Sequence, residues 1–253
     1  MRRDIEELST TPGTAGVVHH EAQIEALIAP GRGAFEPRPR HELATRSVNV
    51  LIASTALLIL APMLIPIGLL VAATSDGPII YVQTRVGLDR RRRRQPIDIK
   101  RDRRVRDLGG EVFHIYKFRS MVADAERAGA VWAAQGDARV TTLGRALRAM
   151  RLDEMPQLVN VLRGEMNIVG PRPERPGIFV RLREAIEDYP LRQRGRPGIT
   201  GWAQINHPYD RSIDDVRTKV RYDLEYLRRQ GVAEDLRIML RTIPVMLFRR
   251  GSL

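Results

Sequence analysis

Two adjacent carboxylates, Asp153 and Glu154, stand at the predicted start of a helix. A helix N-terminus presents unpaired N–H groups and a partial positive charge, so a carboxylate there stays ionised and an anion can bind beside it. Arg172 follows between two prolines, which stiffen the backbone around a guanidinium able to bind phosphate oxygens. This set fits phosphate or metal chemistry. Taken alone, the acidic pair also fits an ordinary capped helix with Pro156 in its first turn.

Three more cations are candidates for phosphate binding. Lys117 and Arg119 lie at the end of a predicted strand, and Arg148 precedes Asp153 by five residues. A basic pair after a strand, or an arginine with arginine neighbours on a helix, commonly faces solvent, so the pattern alone leaves a surface position open. The five histidines show no metal-ligand spacing, and the absence of cysteine excludes thiol chemistry and disulfides.

Residues 47–75 carry no charge and form a segment longer than the roughly 20 residues that a membrane-spanning helix needs. Pro62 and Pro66 each remove a backbone donor from this segment, which favours a sharp bend. Basic residues flank both ends, so a spanning orientation would break the positive-inside rule at one of them. We therefore predict a re-entrant membrane helix over residues 45–76, bent at the two prolines, with a spanning helix as the alternative.

The net charge of +12 predicts an anionic partner. Aromatic residues make up only 5% of the chain and no nucleic-acid recognition motif appears, so we favour anionic membrane lipids and expect no nucleic-acid partner. The arginine-rich residues 90–106 are either a lipid-attracting element or a solvated loop. We expect a flexible N-terminal tail over residues 1–44 and a cytosolic domain, long enough to bury a core, over residues 77–253.

The apolar and turn patterns predict two strands, over residues 79–83 and 111–118. Helices are predicted over residues 122–134, 143–150, 155–162, 178–187, 213–229 and 234–247. The last of these helices has an apolar side framed by arginines, as interfacial helices do, and a core helix packed on the domain is the alternative. Pro244 is expected to end or bend it.

Four motifs follow the apolar segment with its proline break. They are Lys117-Phe-Arg-Ser-Met121, Leu152-Asp-Glu-Met-Pro-Gln-Leu158, Gly164-Glu-Met-Asn-Ile-Val-Gly-Pro-Arg-Pro173 and Arg196-Pro-Gly-Ile-Thr-Gly-Trp-Ala-Gln-Ile-Asn206. In type and order, these features closely resemble the bacterial sugar transferase family, the monotopic phosphoglycosyl transferases. Because several independent motifs coincide around one acidic pair, the resemblance favours catalysis over helix capping. The chain departs from the family at Ala61, where serine often precedes the breaking proline, and at Asn49, where an acidic residue is common.

The resemblance implies an enzyme that transfers a sugar-1-phosphate from a UDP-sugar to a polyprenyl (undecaprenyl) phosphate and releases UMP. The reaction would start a lipid-linked glycan at the cytoplasmic face of the inner membrane. The implied fold class is α+β: a helix-rich monotopic membrane protein with an N-terminal re-entrant helix and a small cytosolic catalytic domain. A homodimer is compatible with this reading. The alternatives are a catalytically inactive, membrane-attached basic scaffold of the same fold and a membrane-tethered nucleic-acid binder.

The resemblance also assigns roles to the candidate residues. Asp153 matches the family's nucleophile, which would hold the phosphosugar covalently between two transfer steps. Glu154 would hold Mg²⁺ together with Asp153, since Mg²⁺ needs only one or two carboxylates besides substrate phosphate oxygens. Four cations would contact the substrate phosphates: Lys117, Arg119, Arg148 and Arg172.

Overall fold

The computed structural model describes residues 35–90, 109–123, 125, 137–207 and 212–247, and the structural statements below refer to these ranges. The chain divides into two units, Met1–Glu36 and Pro37–Leu253, and all the helices and strands described here lie in the second. The predicted tail over residues 1–44 and the arginine-rich residues 90–106 lie largely outside the described ranges.

The first element is a helix of 33 residues, α1 (Glu42–Thr74), which begins slightly before the predicted residues 45–76. His41 caps it by accepting a hydrogen bond from the backbone N–H of Ala44 at 3.3 Å. Pro62 and Pro66 lie inside the helix, which continues through both. Within the described ranges, α1 is the one helix that is long and apolar enough to cross a membrane.

The N-terminal part of α1 is bound to the rest of the unit by polar side chains. Arg46 donates to the carbonyl oxygens of Val161 and Leu162. Asn49 is buried, accepts a hydrogen bond from the N–H of Ile168 at 2.6 Å and donates to the carbonyl of Thr45 at 2.7 Å. The amide at position 49 therefore uses a donor as well as an acceptor, and an ionised carboxylate would lack the donor.

The C-terminal part of α1 packs through apolar side chains. Ile67 and Val71 form a buried cluster with Phe118 and Leu147. Between these two packed parts, residues 54–66 contain no buried residue. Their large apolar side chains include Leu58, Ile59, Met63 and Ile65, all of which are exposed. The helix therefore packs against the unit at both ends, while no residue between positions 54 and 66 is buried.

Two small sheets complete the β structure of the described residues. Strands β1 (Ile80–Val86) and β2 (Val112–Phe118) pair in antiparallel fashion, with Tyr81 opposite Lys117. Strands β3 (Asn167–Val169) and β4 (Gly198–Thr200) are parallel. The predicted strands correspond to β1 and β2, whereas β3 and β4 were not predicted, because three residues are too few to show an alternating pattern.

The remaining helices follow α1 along the chain. They are α2 (Thr142–Ala149), α3 (Gln157–Arg163), α4 (Pro176–Ala185), α5 (Trp202–Asn206), α6 (Ile213–Arg229) and α7 (Val232–Leu247), with two 3₁₀ helices at Leu152–Glu154 and Tyr189–Arg194. Helix α6 has the predicted bounds, and Ser212 and Asp215 form a capping box at its start. Helix α7 continues through Pro244, which neither ends it nor interrupts it. Much of the predicted helix 122–134 lies outside the described residues, and Val122, Ala123 and Ala125 are not helical.

This architecture confirms the predicted α+β class with a helix-rich composition and one long apolar N-terminal helix. Side-chain burial divides α7 between the two predicted surroundings. Ile238 and Asp235 are buried against the unit, while Leu236, Leu240 and Ile243 are exposed. One side of this helix therefore belongs to the core and another faces outward.

Candidate functional site

The acidic pair lies on a short 3₁₀ turn and not at the start of an α-helix. Arg151 adopts a left-handed conformation with φ +57°, and the turn Leu152–Glu154 follows directly. Helix α3 begins only at Gln157, after Pro156. Both carboxylates are buried, each residue being 6% exposed. The turn therefore holds two neighbouring acids inside the protein, where their charges must be balanced.

Glu154 is balanced by two cations from distant parts of the chain. Lys117 in β2 donates from Nζ to Glu154 Oε1 at 3.0 Å. Arg172 bonds to both carboxylate oxygens, with Nη1 at 3.3 Å from Oε2 and Nη2 on Oε1. The arrangement is a forked guanidinium–carboxylate pair with an ammonium added.

Asp153 has no such partner. No side chain in the described part of the chain donates a hydrogen bond to its carboxylate or forms an ion pair with it. Arg148, which was expected near the substrate phosphates, donates from Nε to Ser120 Oγ at 2.9 Å. Its charge still acts on Asp153, since Arg148, like Lys117 and Arg172, lowers the pKa of that carboxyl. Asp153 therefore retains oxygens with free hydrogen-bonding and coordinating capacity.

The two carboxyls differ in their pKa values because their surroundings differ. Burial, followed by the negative charge of Glu154, raises the pKa of Asp153 above its ordinary value. Burial alone would raise the pKa of Glu154 too, but the charges of Arg172 and Lys117 outweigh it and hold that pKa well below the usual range. Burial lowers the pKa of Lys117, although Glu154 opposes the change. Glu154 is thus the member of the pair that ionises at the lower pH.

A buried asparagine fixes the position of Lys117 relative to the acidic turn. Asn160 in α3 is fully buried, and its amide oxygen accepts from the N–H of Tyr116 at 3.2 Å. Its amide nitrogen donates to the carbonyl of His114 at 2.6 Å. The side chain therefore pairs with β2 as one further peptide group would, next to Lys117. Asn160 was not among the predicted site residues, because nothing in the local sequence pattern indicated this contact.

Arg172 is positioned by the pairing of β3 with β4, which joins two of the sequence motifs. The N–H of Gly170 donates to the carbonyl of Thr200 at 2.9 Å, and that of Gly198 donates to the carbonyl of Pro171 at 3.0 Å. A Cβ on Gly198 would lie 2.0 Å from the backbone nitrogen of Gly170, so a side chain cannot be added there. Close backbone contact is therefore what these glycines permit.

The segment after Arg172 is held by β1. Arg85 donates from Nη1 to the carbonyl of Pro173 at 2.9 Å and to Glu174 Oε1 at 3.1 Å. The N–H of Val86 also donates to the carbonyl of Glu174 at 2.8 Å. Neither Arg85 nor Glu174 was among the predicted site residues, because a single arginine in a strand carries no local signal of such a contact.

The Gly-Ile-Thr-Gly-Trp-Ala-Gln motif contributes one residue to the site and one to the core. Gln204 accepts from Arg172 Nη1 at 3.4 Å through Oε1. Trp202 is buried and donates from its indole nitrogen to Glu225 at 2.9 Å. Gln204 therefore belongs to the site although its motif did not indicate it, and Trp202 is a packing residue.

Arg119 lies in a different set of contacts from the other predicted cations. Its guanidinium is buried and donates to Ser75 Oγ at 3.0 Å and to the carbonyl of Pro78 at 2.7 Å. It also donates to the carbonyls of Ser75 and Val71, at the end of α1. The structure thus brings Lys117 and Arg172 together with the acidic pair, whereas Arg119 binds the end of the apolar helix.

The chemistry of the acidic pair suits the Mg²⁺ that the resemblance implied, although the two carboxylates differ in how far other side chains already bind them. Mg²⁺ is bound by hard oxygens and is commonly held by one or two carboxylates together with waters and substrate phosphates. Within the described ranges, no group of three or more His, Asp or Glu side chains could hold a metal by itself. Glu154 shares its oxygens with Arg172 and Lys117, so Asp153 offers the carboxylate oxygens that no side chain of the described residues already binds.

Residues 40–249 match the family described as bacterial sugar transferase, and the chain belongs to this family. It is 34% identical over 250 residues to the UDP-N-acetylgalactosamine-undecaprenyl-phosphate N-acetylgalactosaminephosphotransferase of Aeromonas hydrophila, covering 98% of this chain and 52% of that protein. It is 37% identical over 205 residues to the UDP-glucose:undecaprenyl-phosphate glucose-1-phosphate transferase of Escherichia coli (strain K12), covering 80% and 40% respectively.

A third relative is the UDP-glucose:undecaprenyl-phosphate glucose-1-phosphate transferase of Caulobacter vibrioides, which is 34% identical over 213 residues. The match covers 83% of this chain and 72% of that protein. The chain therefore spans about half or less of the first two relatives and most of the third. These matches confirm the family that the motifs indicated.

Proposed function

We propose that this protein transfers a sugar-1-phosphate from a UDP-sugar to undecaprenyl phosphate, releases UMP and so initiates a lipid-linked glycan. The main supporting observation is the contrast between two buried neighbouring acids. Lys117 and Arg172 bind Glu154 and lower its pKa, whereas the carboxylate of Asp153 has no side-chain partner among the described residues. Three similar proteins are named as undecaprenyl-phosphate sugar-phosphate transferases, which supports the same reaction class here. Those names include two different sugars, so the donor of this protein is a question for experiment.

The proposed chemistry has two displacement steps at one phosphorus atom. An oxygen of Asp153 attacks the sugar-bearing phosphorus of the UDP-sugar, and the bond from that phosphorus to the bridging oxygen breaks, so UMP leaves with that oxygen. An aspartyl-phosphosugar remains. A phosphate oxygen of undecaprenyl phosphate then attacks the same phosphorus and expels the Asp153 carboxylate, giving undecaprenyl-diphosphosugar. Splitting the transfer in this way replaces one difficult reaction between two anions with two easier ones.

The cations around the acidic pair supply the electrostatic part of this mechanism. A carboxylate attacking an anionic diphosphate must overcome repulsion between negative charges, and fixed positive groups reduce that cost. Arg172 and Lys117 already lie beside the pair, and their donors are available to phosphate oxygens when they release Glu154. Mg²⁺, held by Asp153 and Glu154, would neutralise further charge on the diphosphate when bound.

We propose that α1 is re-entrant and that the domain lies on the cytoplasmic face of the inner membrane. The supporting observation is that both ends of α1 contact the same unit, at Asn49 and at Val71, while residues 54–66 contain no buried residue. A spanning helix would carry its ends to opposite sides of a hydrocarbon core about 30 Å thick, where one domain cannot bind both. Anionic lipids are the proposed partner of the flanking basic residues.

The test is UMP release from the protein held in nanodiscs, with Mg²⁺, undecaprenyl phosphate and a panel of UDP-sugars. Asp153→Ala serves as the inactive variant and Asp214→Ala, an exposed acid on α6, as its matched control. Release with at least one UDP-sugar, lost with Asp153→Ala and kept with Asp214→Ala, is the expected result. Absence of release with every sugar, from protein shown to be folded, would favour the inactive scaffold.

A further inference from the structure

Arg192 lies directly behind the backbone of Arg172. It belongs to the 3₁₀ helix Tyr189–Arg194 and is buried, with 7% of its surface exposed. Its Nη2 donates to the carbonyl oxygen of Arg172 at 2.9 Å. Arg172 itself lies between two prolines, so its own carbonyl is a natural point at which to fix this segment.

The guanidinium of Arg192 is itself fixed from two other directions. Its Nε donates to Asp223 Oδ2 at 2.8 Å, and Nη2 lies 2.6 Å from the same oxygen. Its Nη1 donates to the hydroxyl of Tyr189 at 2.9 Å. Asp223 and Tyr189 are each 1% exposed. Every terminal nitrogen of the group therefore has a defined partner, and the direction of its bond to Arg172 is set by the core.

A buried ion pair is a poor way to gain stability, because removing two charges from water can cost more than their attraction returns. A contribution to folding stability alone therefore explains the buried Arg192–Asp223 pair poorly. Besides Asp223 and Tyr189, Arg192 also binds the backbone carbonyl of Arg172. The side chain of Arg172 in turn binds Glu154 and Gln204. A guanidinium can act as a fork on phosphate only when its direction is defined, since long side chains otherwise lose that geometry to rotation.

We propose that Arg192, held by Asp223, is a positioning residue for the transfer reaction: it fixes the Arg172 carbonyl and thereby aims the Arg172 guanidinium. This inference rests on the proposed function and names a device within the same site. Arg192 does not touch the acidic pair in the described structure, so its effect passes through Arg172.

The chain contains a matched control in a second buried pair, Arg40 and Asp235. The side chains of Arg40 and Asp235 are 8% and 4% exposed, compared with 8% and 2% for Arg192 and Asp223, and both pairs have an N–O distance of 2.6 Å. Arg40 also binds a tyrosine hydroxyl, that of Tyr226, at 2.7 Å. In the described structure the side chain of Arg40 donates to Tyr226 and Asp235 and not to Arg172.

The experiment is a double-mutant cycle measured as kcat and KM for UMP release, with thermal unfolding of each variant alongside. Arg192→Lys and Arg40→Lys are each made in the natural protein and in Arg172→Lys. Arg192→Lys should lower kcat by about 10- to 100-fold in the natural protein, the scale of a 1 Å misplacement, with a smaller change in KM. In Arg172→Lys, where the fork is already lost, the same change should cost less than about threefold.

Arg40→Lys should lower the unfolding temperature to a similar extent and have the same effect on kcat in both backgrounds. Equal losses from Arg192→Lys in both backgrounds, or losses no larger than those of Arg40→Lys, would overturn the proposal. Should Arg192→Lys fail to fold, Tyr189→Phe removes one anchor and leaves the ion pair, and its kcat loss must likewise disappear in Arg172→Lys. Absence of UMP release from the natural protein would instead refute the proposed function.

Discussion

Replacing Arg172 by lysine isolates the contribution of a guanidinium fork from that of a positive charge. The arginine bonds to both oxygens of Glu154 and to Gln204, so its terminal nitrogens already adopt a two-pronged arrangement. A lysine at this position keeps the charge but presents a single ammonium, which cannot match two phosphate oxygens at once. The substitution therefore removes one charge-assisted hydrogen bond in the transition state.

A hydrogen bond to a charged group contributes about 1.5–3 kcal/mol, which corresponds to roughly a 10- to 150-fold loss of kcat/KM at 1.36 kcal/mol per decade. Stability should change little, because the Arg172 side chain is 37% exposed and solvent screens its pairing with Glu154. The assay is UMP release under subsaturating UDP-sugar, with unfolding temperature measured on the same preparations.

Arg181→Lys is the matched control, since Arg181 is an exposed arginine on α4. It should leave kcat/KM within about twofold, as surface substitutions usually do. A role for the guanidinium fork would be refuted if Arg172→Lys kept kcat/KM within threefold of the natural protein while Arg172→Ala lost far more. That pattern would mean that charge alone is used and that the fork geometry is irrelevant.

Three other outcomes are expected. Asn160→Ala leaves two backbone groups of β2 without partners and should destabilise the protein by about 2–4 kcal/mol in denaturant unfolding, whereas Asn206→Ala, at an exposed position, should cost under about 1 kcal/mol. Because the pKa of Asp153 is raised and its ionised form is the proposed nucleophile, UMP release should fall as the pH drops through that pKa. Mg²⁺ competes with the proton for the carboxylate, so a higher Mg²⁺ concentration should move this acidic fall in activity to lower pH. A pH profile that does not respond to Mg²⁺ would contradict a shared site. Arg119→Met should lower the unfolding temperature by loosening the end of α1 and leave the KM for UDP-sugar unchanged, while a raised KM would return Arg119 to the phosphate site.

The sequence predicted those parts of the fold that local patterns determine. Helix α6 was located to the residue from its apolar pattern, and the structure has a capping box at Ser212 where the helix begins. The helix start predicted at the acidic pair was wrong, because a 3₁₀ turn follows the left-handed Arg151 and the α-helix begins only at Gln157. A single non-glycine residue in that conformation leaves no mark in a pattern of apolar residues.

The partners within the site were beyond prediction from local sequence. Lys117 and Arg172 meet at Glu154 from positions far apart in the chain, and the motifs alone proposed both as phosphate ligands without pairing them. Arg192 stands among other arginines, where a buried cation and a solvated one look alike. Arg119 shares a motif with Lys117, and residues two apart in a strand share a face, but Arg119 lies one residue beyond the end of β2, where that rule no longer applies. Only the tertiary packing separates their surroundings.

The attachment of α1 at both ends has a consequence for protein engineering. Removing residues 42–74 would delete more than a membrane anchor, since Ile67 and Val71 belong to a buried cluster with Phe118 and Leu147. The cut would also leave the N–H of Ile168, now bonded to Asn49, without its acceptor. A water-soluble version of the protein is therefore better obtained by replacing exposed side chains between residues 54 and 66 with polar ones. This change leaves both attachment points of α1 intact.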